Sequence, residues 1–279
     1  MQTIYAIIDA LLPLEALSFT FMKNALLAIL LLTPLLALLG TMAVNQQMAF
    51  FSDALGHSAL TGIGLGVVLG VSSDLLAMLV FGVVWAILIC RIKQTGAAST
   101  DTVISVFSST SVAAGLLILS RGGGFAKYST LLVGDVLAVT PKDLLYLVIA
   151  LIGGILLWAL MYNSLLLGSV NPSLAKTRGI NVRVTECLFV VLVAVAVMLA
   201  IKWVGVMLIN ALLILPAAAG RNLARSSRSH AIWSVSIAMV SGIAGLLSAY
   251  AWDTSAGAAI VLYAAAWYFI SLAARRFVK

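Results

Sequence analysis

The sequence predicts an all-α fold, a polytopic transmembrane helical bundle of about 8–9 spans in which residues 1–279 form a single membrane domain. Three observations carry that reading. Apolar residues make up 63% of the chain and charged ones only 9%, against about a quarter charged in soluble domains. Apolar stretches of membrane-spanning length recur along the whole chain and leave no room for a water-exposed domain. Most of the 16 basic residues gather at the ends of those stretches.

In chain order, residues 1–22 are apolar but interrupted by Asp9, Pro13 and Glu15, which suits an interfacial or half-inserted segment better than a span. No basic run precedes them, so a cleaved signal peptide is not expected. Spans follow near 24–44, 48–70, 75–91, 102–120, 144–162, 183–201, 204–220, 232–250 and 256–274. The fourth carries a hydroxyl patch, Ser105, Ser108, Ser109, Thr110 and Ser111, which either bonds back to its own helix or lines a hydrophilic path. Gly122, Gly123 and Gly124 after it read as a flexible turn. The seventh span holds Asn210 and Pro216, and the proline is expected to bend it. Asp253 sits in the short link before the last span, where it either caps a turn or draws cations to an outer mouth. Cys90 and Cys187, far apart at span ends, read as packing residues.

A net charge of +7 raises the question of nucleic acid, and the placement of the charges answers it. Eleven of the basic residues fall in four clusters: Arg91 and Lys93; Lys176, Arg178 and Arg183; Arg221, Arg225 and Arg228; Arg275, Arg276 and Lys279. Counting spans back from the C-terminus puts all four on one side, which the positive-inside rule makes cytoplasmic. The expectation is therefore a multi-pass protein of the cell (inner) membrane, surrounded by lipid, with its C-terminus cytoplasmic and no nucleic-acid partner.

Chemistry concentrates in one span. From 48 to 70 the only ionisable side chains are Asp53 and His57, four residues apart and so on one face of a helix. A carboxylate near a bilayer centre costs roughly 2.5–3.5 kcal/mol on insertion scales, so such residues normally face a bundle interior and have a task there. Together they make half a coordination shell for Zn²⁺ or Mn²⁺, weak enough to release its ion. An Asp–His hydrogen bond holding the bundle together and a proton relay are the other readings the residues allow. Gly62, Gly66 and Gly70 follow at every fourth position and are expected to let a neighbouring helix approach. No G-x-x-x-x-G-K-[ST] phosphate loop occurs, so any ATP is hydrolysed by another polypeptide. No inverted repeat of broken helices, the mark of many secondary transporters, is visible either.

Four ordered segments, 48–66, 134–144, 204–218 and 253–261, together resemble the membrane subunit of the bacterial ABC importers for zinc, manganese and iron. The first runs from Met48 to Gly66 and keeps Asp53, Ala54, Leu55, His57, Gly62 and Gly66 of that family's signature. The second is Gly134-Asp135-Val136-Leu137-Ala138-Val139 with Asp143-Leu144, and the third Val204-Gly205-Val206-Met207-Leu208 with Leu215-Pro216-Ala217-Ala218. The fourth is Asp253 with Gly257-Ala258-Ala259-Ile260-Val261. Ser52 and Gly56 stand where the family more often has glycine and serine, Asn45, Gln46 and Gln47 where basic residues are common, and Ser255 near Asp253 where proline is frequent. By itself Gly56 weakens its helix by about 1 kcal/mol relative to alanine.

The resemblance implies a type II ABC importer permease fold. It implies an assembly of two copies of this chain, two cytoplasmic ATP-binding subunits and an extracytoplasmic metal-binding protein. The implied function is ATP-driven import of zinc or manganese as cargo, with no permanently bound cofactor and no ATPase site in this chain. Asp53 and His57 would be the metal ligands, with Asp253 a further candidate. The loop 171–181 would form a cytoplasmic coupling helix that docks on the ATPase through Pro172, Ala175, Lys176, Arg178 and Gly179. A proton-coupled secondary transporter using Asp53 and His57 as a relay is the alternative.

Overall fold

The computed structural model describes Tyr5, Ala6, Asp9 and residues 15–121 and 134–278. The Gly122–Gly124 turn and most of the segment before residue 15 lie outside the described residues. Among those described the regular structure is all helical: α1 Thr20–Asn45, α2 Phe51–Val68, α3 Asp74–Thr95, α4 Thr100–Arg121, α5 Pro141–Val170, a short α6 Pro172–Thr177, α7 Val182–Val204, α8 Val206–Leu223, α9 Ser227–Trp252 and α10 Ala256–Val278. Short 3-10 turns lie at Glu15–Ser18 and Val136–Ala138.

Local sequence explains most of the helix ends. Ser73, Asn181 and Ser226 each accept a backbone N–H of the following turn and so start α3, α7 and α9. Thr140 and Asp143 form a reciprocal capping box at the start of α5, with Pro141 at the first helical position. Asp143 also accepts the Trp203 indole N–H at 2.7 Å, which ties the head of α5 to the tail of α7. Only Gly205 separates α7 from α8; its φ of 80° and ψ of 166° belong to a backbone region that essentially glycine alone occupies.

α1 is the axial helix, packed against α5, α8 and α9. Near its start two polar residues are buried with partners: Lys23 pairs with Asp9 at 2.7 Å, and Asn24 accepts from the Tyr5 hydroxyl and donates to the Val139 carbonyl. On one side α8, α9 and α10 pack together; on the other α2 lies among α3, α4, α7 and α8. Close packing uses small residues. A Cβ on Gly62 would press on Ala77, Met78 and Phe81 of α3, and one on Gly66 would press on Ala77. Gly70 departs from the packing expectation: it has φ 71° with open space around it, because α2 has already ended and the glycine turns the chain toward α3.

Among the described residues eight helices are long and apolar enough to cross a membrane: α1, α3, α4, α5, α7, α8, α9 and α10. The ninth expected span, 48–70, is the helix α2, which is not among the eight. It has 18 residues, of which 13 are buried by neighbouring protein. α5 also runs eight residues past the expected end at 162. α8 continues through Pro216 without interruption.

The cysteines correct a sequence expectation. Cys90 and Cys187 are joined by a disulfide between α3 and α7, with Cα atoms 5.8 Å apart. Although 97 residues apart in sequence, they meet because α3 and α7 pack side by side. Lys93 and Glu186 form an ion pair between the same helices, and Gln94 donates to the Arg183 carbonyl.

Candidate metal site

The turn after α1 delivers the chain directly into α2, so Asp53 falls in that helix's first turn. One turn on, His57 Nε2 lies 3.5 Å from Asp53 Oδ2. The other carboxylate oxygen, Oδ1, accepts a hydrogen bond from Asn210 Nδ2 of α8 at 3.0 Å.

What brings α8 this close is Gly56. A Cβ there would occupy the space of the Val206 side chain. Val206 and Asn210 are four apart on α8, and Asp53 and Gly56 three apart on α2, so the valine seated on the glycine sets the register in which the amide meets the acid. The departure from the family pattern at position 56 therefore has a packing reason.

On its outer side Asp53 opens into a cleft of about 310 Å³. Phe50, Asp101, Ile104, Ser105, Ser108 and Ser109 complete its lining. Three hydroxyls of the α4 patch thus line this cleft, while Thr61 of α2 donates to the Ser111 carbonyl at 2.5 Å and fastens the same two helices. The Asp53 side chain is 47% exposed and that of His57 31% exposed in the isolated chain. Asp101, Ser105 and Ser109 are exposed as well, on a helix apolar and long enough to lie in a bilayer. Hydrocarbon is a poor cover for such a face.

Among the described residues no cluster of three or more His, Cys, Asp or Glu side chains is placed to hold a metal. Asp53 and His57 remain half a shell. Asp253 lies elsewhere, at the left-handed end of α9 with φ 52°, exposed on the turn into α10. His230 is buried, its Nε2 2.9 Å from the Ala217 carbonyl, and serves packing.

The loop 171–181 contains α6. Asn171 caps it by accepting from the Leu174 N–H, Pro172 is its first residue, Ala175 is fully buried, Lys176 is exposed, and Arg178 and Gly179 end it with Gly179 at φ 75°. Beside it a cavity of about 370 Å³ is lined by Gln46, Gln47, Lys93, Pro172, Thr185 and Glu186 among others.

Two site residues were not anticipated in their roles. Asp101 joins Ser105 and Ser108 at helical spacing, a polar stripe that the residues announce once the helix boundary is set. The bond from Asn210 to Asp53 crosses 157 positions and has no local sequence signal.

Among the described residues, eight long helices packed with α1, one of them bearing an acid–imidazole pair beside a hydroxyl-lined cleft, define a polytopic membrane protein with an ionisable pair on a face of its bundle. The chain belongs to the ABC 3 transport family, whose model matches residues 18–275. It is 34% identical over 257 residues to the high-affinity zinc uptake system membrane protein ZnuB of Haemophilus influenzae, a match covering 91% of this chain and 97% of that protein. It is 32% identical over 257 residues to the manganese import system permease protein ScaB of Streptococcus parasanguinis, covering 91% and 90%. Among solved structures it resembles PsaBC from Streptococcus pneumoniae in complex with Fab, with a TM-score of 0.79, 28% identity and coverage of 97% of this chain and 95% of the other. As in its family, the chain is a membrane permease subunit and not the ATPase.

Proposed function

We propose that this permease subunit imports a divalent transition metal, zinc or manganese, into the cytoplasm, driven by ATP hydrolysis on a partner. The observation that carries the proposal is the 3.5 Å separation of Asp53 Oδ2 and His57 Nε2. That is long for a direct hydrogen bond, which favours about 2.7–3.2 Å. With metal–ligand bonds of about 2.0–2.1 Å, neighbouring corners of a tetrahedral shell lie roughly 3.3 Å apart. The pair is spaced to grip one ion between its two atoms.

The relatives' names supply the cargo class, a zinc uptake protein and a manganese import permease. The assembly proposed has two copies of this chain, two cytoplasmic ATP-binding subunits and an extracytoplasmic metal-binding protein. It sits in the cell (inner) membrane with the C-terminus cytoplasmic, as the basic clusters indicate. A second copy covers the exposed polar face of α2 and α4, and two facing half-shells give two oxygens and two nitrogens along the path. α6 docks on the ATP-binding subunit through Pro172, Lys176 and Arg178, while buried Ala175 and the left-handed Gly179 hold its shape.

Asp53→Ala tests the reading. In a complex reconstituted with its ATP-binding subunit, metal uptake falls to background while assembly and basal ATP hydrolysis persist. Uptake at the wild-type rate in that variant removes the site.

A further inference from the structure

We infer that Asn210 is a third, neutral ligand of the Asp53–His57 site, one that holds the empty site in shape by donating to Asp53 and turns to offer its carbonyl oxygen when an ion arrives. The inference rests on the metal reading above. Asn210 Nδ2 donates to Asp53 Oδ1 at 3.0 Å, so its donor end is in use. Its acceptor end is not: Asn210 Oδ1 is buried and has no hydrogen-bond partner. A buried amide oxygen without a partner calls for one, and an arriving cation beside the carboxylate would supply it.

The geometry makes the exchange local. Gly56 and Val206 fix the spacing of α2 and α8, so Asn210 reaches the carboxylate whether or not cargo is present. The terminal torsion of an asparagine is broad and roughly two-fold, so the amide turns without moving its helix. Before arrival an N–H faces the carboxylate. With a cation held at the carboxylate by Asp53 and His57, an N–H pointing toward it is repelled and a C=O attracted. The turned amide adds an oxygen donor without adding negative charge, which keeps affinity compatible with release. Hard oxygen donors favour manganese more than they favour zinc, so the same residue bears on ion choice.

The test uses the assembled transporter and measures concentration-dependent uptake of manganese and of zinc for Asn210→Ala, Asn210→Leu and Asn210→Asp, with Asp53→Ala in parallel. The expected result is a rise of at least tenfold in half-saturating manganese for Ala and Leu, with a smaller rise for zinc. Asn210→Asp keeps an oxygen ligand and adds charge, so it lowers half-saturating manganese and slows turnover. If Asn210 merely props Asp53 through its N–H, Asn210→Asp sets two carboxylates against each other and is worse than Asn210→Ala; that ranking overturns the inference. So does unchanged half-saturation for both ions in Asn210→Ala. Should Asn210→Ala or Asn210→Leu fail to assemble, the comparison of Asn210→Asp with the wild type decides alone. If Asp53→Ala also transports normally, the metal reading itself fails; if it is inactive while the Asn210 variants match the wild type, only the third ligand is lost.

Discussion

Alanine at position 56 is the most demanding perturbation of the site, because it adds a single methyl group and touches no ligand. Its Cβ would fall on the Val206 side chain, and reaching an ordinary carbon–carbon contact requires α2 and α8 to part by about 1 Å. Overpacking of this kind costs about 1–3 kcal/mol, and replacing a mid-helix glycine by alanine returns about 1 kcal/mol. The net effect on stability is thus small, about 1 kcal/mol. The effect on the site is not. A parting of about 1 Å stretches the 3.0 Å bond from Asn210 to Asp53 beyond hydrogen-bonding range. Gly56→Ala is therefore expected to assemble, to unfold within a few degrees of the wild type, and to lose metal uptake at least tenfold. Val206→Ala in the same chain removes the obstructing methyl groups and restores most of the uptake. The assays are thermal unfolding of the purified complex and metal accumulation in vesicles. Wild-type uptake by Gly56→Ala, or failure of the second substitution to restore it, refutes the argument that these two residues set the spacing.

Three further outcomes are expected. Removing either partner of the half-sheltered Lys93–Glu186 pair, by Lys93→Met or Glu186→Gln, strands a charge between α3 and α7 and lowers stability by about 2–3 kcal/mol, while Lys93→Met with Glu186→Met recovers much of it; denaturation of the purified protein reads this out. Gly179→Ala forces a side chain into the left-handed region at φ 75°, costs about 1–2 kcal/mol locally, and weakens co-purification of the ATP-binding subunit with little change in the fold of the bundle by circular dichroism. Asp253→Asn, which suits the left-handed backbone at φ 52°, leaves metal uptake within twofold of the wild type in the assay that finds Asp53→Ala inactive.

The fold class was legible because the bilayer simplifies the problem: long apolar runs report spans with little help from tertiary contacts. Asp53 and His57 stood out as candidates for the complementary reason, being ionisable where almost nothing else is. The disulfide was not legible, since Cys90 and Cys187 are neighbours only once α3 and α7 lie side by side. Gly70 misled because every-fourth-residue spacing continues past the point where the helix stops; its positive φ is a property of the turn and leaves no trace in the pattern. Asn210 was visible as an amide in an apolar run, but its partner was not, because register between distant helices is set by shape, here a valine on a glycine, rather than by any local preference.

Gly205 gives this architecture a mechanical property. α7 has 23 residues and so is a rod about 34 Å long, attached at its Asn181 end to the α6 loop and at its other end, through one residue, to α8. A single-residue joint has no slack. Rocking α7 by about 5° about its Asn181 end swings the far tip by about 3 Å. Because α8 begins at that tip, such a small tilt exceeds the tolerance of the contacts that Val206 and Asn210 make around Asp53. Leverage of that kind turns a modest push on the membrane surface into a make-or-break change at the proposed ion site.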